Sequence, residues 1–232
     1  MLQDTHFPKP VVAVDLVIFT VIDTTLKVFL IQRDSAPFDG LPCLPGGFVR
    51  TGEEGEGVEE AAWRVLQQKT QLPLEALYLE QLYTFGALDR DPRDRVISVS
   101  YLALIRQDLA RYIPQDYRFQ GQWYDVDSIL QSPSISLAFD HHTIISYGYS
   151  RIAGKLEYTP IAFSLVPHTF TVSELRAIHE AIKGTSYDPS NFRRRFKRQL
   201  EDGVIVVADG KRITGARPAK VYRFLPATTG RE

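Results

Sequence analysis

The sequence predicts an α+β protein of two modules, a mixed-sheet module over residues 1–153 and a smaller one over 154–232. Three observations carry this reading. In the front part, apolar runs without a helical period surround one segment that has such a period, as strands and a helix sharing one sheet do. In the back part, two helices with capping signals precede two short apolar runs joined by a loop rich in basic residues. The charge divides in the same place. The chain nets −1, yet residues 155–232 carry +6 and residues 1–154 carry −7. An acidic front and a basic back imply modules with different partners.

Residues 11–22 (VVAVDLVIFTVI) read as a buried strand, and 26–32 (LKVFLIQ) as its partner across a polar turn at Asp23-Thr24-Thr25. Residues 35–57 are loop-like, broken by Pro37, Gly40, Pro42, Pro45, Gly46, Gly47, Gly52, Gly55 and Gly57. From Val58 to Thr70 the period changes: Val58, Ala61, Ala62, Val65 and Leu66 fall on one face of a helix. Strand signals return at 78–85, 95–105 and 119–126, and a helix is expected over about 139–156.

The tail begins with Thr171-Val-Ser-Glu174, the spacing of a capping box. Leu175, Ile178 and Ile182 form an apolar stripe, and Gly184 suits the helix end. A second helix starts at Asp188 with Pro189 at its first position. Phe192, Phe196 and Leu200 are expected to bury, while Arg193, Arg194, Arg195, Lys197 and Arg198 project elsewhere. Strands are expected at Val204–Val207 and Lys220–Leu225, with a basic loop over 209–218 between them. A helix, a turn, a basic helix and a basic hairpin outline a winged helix-turn-helix.

Composition sets the broad class. At 44% hydrophobic and 24% charged residues, disorder as the main state is excluded. The chain's one cysteine, Cys43, rules out an internal disulfide framework and a Cys-rich zinc site. The strongest apolar stretch, Leu16 to Ile22, is too short to span a bilayer, and the N-terminus lacks the pattern of a secretory signal. A cytoplasmic protein with no membrane partner is expected. His141 and His142 are neighbours that point about 100° apart on a helix. They suit a structural or interface role better than a shared metal ion.

The loop and helix of the front module resemble a Nudix box. Leu44-Pro-Gly-Gly-Phe-Val-Arg-Thr-Gly-Glu53 precedes Val58-Glu-Glu-Ala-Ala-Trp-Arg64. The family pattern runs Gly, five residues, Glu, seven residues, Arg-Glu-apolar-x-Glu-Glu-x-Gly. The resemblance places Gly47 at the first glycine, Glu53 at the first glutamate and Arg64 at the arginine, with three extra residues in the loop. Enzymes of the family hydrolyse nucleoside diphosphates linked to another moiety. Their catalytic carboxylates align with Val65, Gln68 and Lys69, and their late glycine with Gln71. Mg²⁺ needs anionic oxygen ligands to neutralise the diphosphate and activate water. An apolar group, an amide and a cation cannot supply them, so metal-dependent hydrolysis is expected to be lost. No metal or cofactor is expected. Lys69 is expected to replace part of the missing metal charge opposite the phosphates of a bound nucleotide.

Further effector-binding candidates are Arg33 and Arg50 for phosphate or ribose, and Gly46 in the box. Arg90 and Arg93 belong to an Arg-Asp-Pro-Arg segment that resembles one in regulators of this type. Phe38, Tyr83 and Phe85 are candidates to stack on a base. In the tail, the N-terminal residues of a recognition helix approach base edges. That singles out Ser190, Asn191, Arg194 and Arg195 as base or phosphate contacts, with Lys197 and Arg198 better placed for phosphates; Thr171 and Arg193 are further DNA-binding candidates. Lys211, Arg212, Arg217 and Lys220 are the expected wing contacts.

A Nudix-like front and a winged-helix back resemble the NrtR family of Nudix-related transcriptional regulators of NAD metabolism. The segments Phe139–Pro167 and Asn191–Ile205, with Arg217–Phe224, look like that family too. The resemblance implies a bacterial repressor that senses ADP-ribose or a related nucleotide. It also implies a homodimer on a palindromic operator, released from DNA by the ligand. Two alternatives stay open: an active Nudix hydrolase of ADP-ribose-like nucleotides, and a regulator of the same architecture that senses a sugar.

Overall fold

The computed structural model describes residues 9–53, 55–72, 77–111, 121–132, 135–213 and 218–225. The predicted hairpin is present as β1 (Val11–Ile22) and β2 (Thr25–Gln32), in antiparallel register with Phe19 opposite Val28. Asp23 and Thr24 make the turn, both at positive φ (49° and 63°). Such turns match the twist of the strands they join.

Two short strands, β3 (Pro42–Cys43) and β4 (Gly46–Phe48), lie within the segment read as loop. They are followed by α1 (Val58–Thr70), β5 (Leu77–Phe85), β6 (Val96–Ile105), α2 (Gln107–Ala110), β7 (Gln122–Asp125) and α3 (Val126–Gln131). The expected strand at 119–126 is thus represented by Gln122–Asp125, since Val126 begins α3 and Phe119 and Gln120 lie outside the described residues. The sheet runs β3-β2-β1-β6-β5, with β4 paired to β1 and β7 to β2. β1 and β6 are parallel and the other pairs antiparallel, which makes the sheet mixed.

β1 reads as a nearly unbroken apolar run because both faces of the sheet are covered. Val14, Leu16 and Ile18 join Ala61, Ala62, Val65 and Leu66 of α1 in one core. Val17, Phe19 and Val21 point the other way. That second face is covered by α4 (His141–Lys155). Gly148 permits the approach, since a Cβ there would lie 3.0 Å from Val17 Cγ1. α1 ends at Gln71 in the left-handed conformation (φ 56°). This is the position of the family's late glycine. The turn survives without it, at a cost of about 1–2 kcal/mol.

The second core does not stop at the sheet. It continues through Ile152 and Leu156 of the α4 end to Phe163, Ile178, Phe196 and Ile205. The expected boundary at residue 153 therefore falls in the last turn of a helix that packs on both modules. A short 3₁₀ turn (Ile161–Ser164) leads to α5 (Val172–Lys183), α6 (Pro189–Glu201) and the hairpin β8 (Ile205–Ile213) and β9 (Pro218–Phe224). The predicted caps are in place. Thr171 Oγ1 accepts from Glu174 N, Glu174 Oε2 accepts from Thr171 N, and Asp188 Oδ1 accepts from Asn191 N. Gly184 ends α5 at φ 64°.

One difference concerns the wing. Residues 209–213, expected as loop, continue β8 beyond an irregularity between Val207 and Lys211. Lys211 stands opposite Lys220, and Arg212 opposite Ala219. A ribbon that projects from the core leaves no face to bury, so the apolar alternation that reveals strands is missing.

Candidate functional sites

The Gly46–Gly47 strand β4 lies on β1, with Val14 opposite Gly47. Glycine is required at residue 46, because a Cβ there would come within 2.8 Å of the Val14 carbonyl oxygen. This close approach shapes a cavity of about 260 Å³ between β1, β2, β4, the end of α1 and the loop before β6. Arg33, Gly46, Gly47, Lys69, Arg90 and Arg93 line it, so the structure brings together six of the predicted residues.

These six differ in what else they touch. Arg90 is buried and its guanidinium is engaged: it donates to Asp15 at 3.1 Å and to both oxygens of Asp140 at 3.0 and 2.8 Å. It is a strut of the cavity wall more than a free ligand-binding group. Arg93 is half-exposed and pairs with Asp91 at 2.7 Å. The Arg33 guanidinium lies 4.8 Å from the centre of the Phe139 ring, and that of Arg93 lies 5.4 Å from it. Lys69 is half-buried, and burial pulls its ammonium pKa below the usual range.

Other predicted residues stand outside the cavity. Phe38 packs edge-on against Phe139 at 4.9 Å and so supports the wall from behind. Phe85 lies with Tyr83 and Tyr147 in an aromatic cluster formed by β5 and α4. Arg50 is exposed, and its backbone N–H donates to Glu56. Glu53 is exposed in the turn. Arg64 pairs with Glu56 instead, at 2.6 Å. Glu56 stands eight positions before Arg64, the Glu-to-Arg spacing of the family pattern. The three extra residues therefore lie before this glutamate, and Glu56 takes the part assigned to Glu53.

Several wall residues were missed by sequence reasoning. Asp15 accepts from Ser98 Oγ at 2.6 Å as well as from Arg90. His141 is buried, and its Nδ1 accepts from Leu44 N at 2.9 Å. Burial depresses its pKa, and its Nε2 lies 3.7 Å from Asp15 Oδ1. His142 is exposed. Cys43 also lines the cavity, its thiol pushed up to about 11 by burial. Asp15 and Cys43 stand in runs that read as core or loop, and only the fold turns them toward a common space.

In the tail, Phe192 and Phe196 anchor α6 in the core. Ser190, Asn191, Arg193, Arg194, Lys197 and Arg198 are exposed. Arg194 Nη2 donates to Asn191 Oδ1 at 3.1 Å, which links two of the candidate base-reading groups. Lys197 pairs with Glu201 at 3.3 Å. Arg195 faces elsewhere: it is half-buried, with Nη2 donating to the Leu156 carbonyl at 3.5 Å. Thr171 is buried and occupied as the helix cap. Arg212 pairs with Glu174 at 2.6 Å and donates to the Thr169 carbonyl at 3.0 Å, so it fastens the wing to α5. Lys211 and Lys220 are exposed on the wing. Arg217 lies outside the described residues.

A mixed-sheet cavity behind a Gly-Gly strand, followed by a winged helix, defines a Nudix-fold protein fused to a DNA-binding module. The NUDIX domain family matches residues 10–145, and the NrtR DNA-binding winged helix domain matches residues 162–224. The chain belongs to the NrtR family. It is 36% identical over 223 residues to the ADPR responsive transcriptional repressor NtrR of Acinetobacter baylyi, which covers 96% of this chain and 85% of the relative. Among solved structures, Shewanella oneidensis NrtR complexed with a 27mer DNA is 32% identical with a TM-score of 0.80, over 92% of this chain and 93% of that one. The NUDIX domain of the same Shewanella protein, complexed with ADP ribose, is 35% identical with a TM-score of 0.51, over 63% of this chain and 90% of that one.

Proposed function

We propose that the protein is a DNA-binding transcriptional repressor of NAD-metabolism genes that senses ADP-ribose in the Nudix cavity. The observation that carries this reading is the pairing of two sites in one chain. A cavity walled by Arg33, Lys69 and Arg93 suits a nucleoside diphosphate, and an exposed basic helix suits DNA. The protein works in the cytoplasm as a homodimer, whose two-fold symmetry matches a palindromic operator. ADP-ribose releases DNA by binding more tightly to the dimer geometry that fits the operator poorly.

The same cavity does not suit hydrolysis. Val65 is buried against Ala61 and Leu66, Gln68 accepts from Arg64, and Lys69 is a cation. These groups do not fit Mg²⁺, which demands oxygen anions. Lys69 supplies positive charge at the phosphates in place of the metal.

The test is a calorimetric titration of ADP-ribose into the protein with Mg²⁺ present, followed by a search for AMP. A saturable isotherm with intact ADP-ribose is the expected result. AMP accumulating with continuous heat identifies an enzyme and overturns the reading. Heat from a sugar, with none from ADP-ribose, moves the sensor to another ligand class. The Lys69→Glu protein is expected to bind ADP-ribose about tenfold more weakly, a difference of about 1.4 kcal/mol. Unchanged affinity removes Lys69 from the phosphate site.

A further inference from the structure

The first turns of α5 and α6 and the strand β9 enclose a second concavity, a groove of about 380 Å³. Its wall includes Ser173, Arg176, Arg193 and Lys220, and no carboxylate lines it. Three cations thus converge on one space. Arg176 Nε is shut off from solvent without a hydrogen bond, and its ion pair is with Glu180, one turn on, at 3.5 Å. Arg193 and Lys220 are exposed and have no ion pair among the described residues.

The surroundings sharpen the chemistry. Glu174, in the first turn of α5, is taken up by Arg212 and by the Thr171 N–H, so its charge is neutralised within the fold. The capping box also leaves the first N–H groups of α5, at Val172 and Ser173, open to an outside acceptor. The groove therefore presents cations and donors but no anionic acceptor. A base edge offers both donors and acceptors, whereas a phosphate offers acceptors alone. The groove adjoins the exposed start of α6, where Ser190, Asn191 and Arg194 stand.

We propose that this groove seats a phosphate of the DNA backbone, gripped by Arg176, Arg193 and Lys220 with Ser173 as a further donor. The proposal rests on the reading of the tail as a DNA-binding module. Such a seat carries no sequence information. It sets the depth and register at which α6 meets the base edges.

The experiment uses the full chain, an operator duplex selected by the wild-type protein from random DNA, and a scrambled duplex, over a range of salt concentrations. Arg176→Gln and Lys220→Gln are each expected to weaken both duplexes equally, by about threefold to tenfold. Each lowers the slope of log affinity against log salt by about 0.9. Lys220→Gln changes only an exposed wing residue, so it keeps the test valid if Arg176→Gln disturbs α5. Unchanged slopes in both variants, with Asn191→Ala still losing the operator, overturn the seat and leave the DNA reading intact. Wild-type protein that retains neither duplex overturns both. Unchanged slopes combined with inorganic phosphate raising the wild-type thermal midpoint, but not that of Lys220→Gln, assign the groove to a free anion instead of DNA.

Discussion

Arg64 and Glu56 meet through two hydrogen bonds, Nε to Oε2 at 2.8 Å and Nη2 to Oε1 at 2.6 Å. Arg64 also donates to the Phe48 carbonyl, and Glu56 accepts from Arg50 N, so the pair closes the 50–57 loop onto α1. The Arg64 guanidinium holds the Glu56 carboxyl down to about 2, against an ordinary value of 4.5. A carboxyl depressed in the folded state stabilises it fully above the ordinary value, and the effect is lost as the pH falls through the folded one. Hydrogen exchange in residues 50–57 is expected to quicken as the pH drops from about 4.5 toward 2, after correction for intrinsic rates. Glu56→Gln is expected to show the same quickening at neutral pH, and Glu53→Gln is expected to leave it unchanged.

The second prediction concerns Arg90. Its side chain is 3% exposed and its two carboxylate partners, Asp15 and Asp140, lie on β1 and at the N-cap of α4. Removing one partner from a buried charge cluster leaves the others uncompensated, at about 3–5 kcal/mol. Arg90→Ala should therefore lower the thermal midpoint sharply. Asp15→Asn in the same background should recover part of the loss, because it removes one stranded charge. A midpoint for Arg90→Ala equal to wild type would show that water already solvates this cluster.

His179 gives a pH dependence in the tail. It is buried between α5 and α6 against Tyr187 and Phe192, and burial, aided by nearby Arg195, lowers its pKa to about 4. The folded state therefore holds a neutral imidazole, while the unfolded chain takes up a proton near 6.5. Stability from this group is complete above 6.5 and declines as the pH falls toward 4. Urea unfolding at a series of pH values should show that decline, and His179→Leu should flatten it. His141, lowered in the same sense by burial, adds to that slope.

The fourth prediction separates reading from holding within α6. Arg194 is exposed, and among the described residues its hydrogen bond is to Asn191 at 3.1 Å. Arg194→Ala should cost about 1–3 kcal/mol of discrimination between operator and scrambled duplex. Arg195→Ala should leave that discrimination intact, because its guanidinium points to the Leu156 carbonyl. Fluorescence anisotropy with the two duplexes distinguishes these outcomes.

Local signals carried much of this fold into the sequence. The helix over 58–70, the Thr171–Glu174 box and the Asp188-Pro189 start were all legible, because each depends on neighbours in the chain. The cavity wall was less so. Gly46, Gly47 and Lys69 could be found from the box, but Asp15, Phe139 and His141 come together only through long-range packing. Arg90 and Arg212 show the opposite limit. A sequence reveals a cation, while its partner lies on another element, Asp140 or Glu174, and decides whether the charge remains available. Glu56 was legible in principle, since its spacing to Arg64 fits the pattern, but Glu53 fits the spacing from Gly47 and masked it.

Cys43 has a consequence for handling and for life in the cell. It is the chain's one thiol, it lines the cavity between β1, β2 and β4, and burial pushes its pKa up to about 11. At neutral pH about one molecule in ten thousand carries the thiolate that peroxides and alkylating agents attack. The wall of the cavity is thus chemically quiet. A cysteine-directed reagent is therefore expected to leave Cys43 unmodified in the folded protein, and the intact mass of the treated protein checks this.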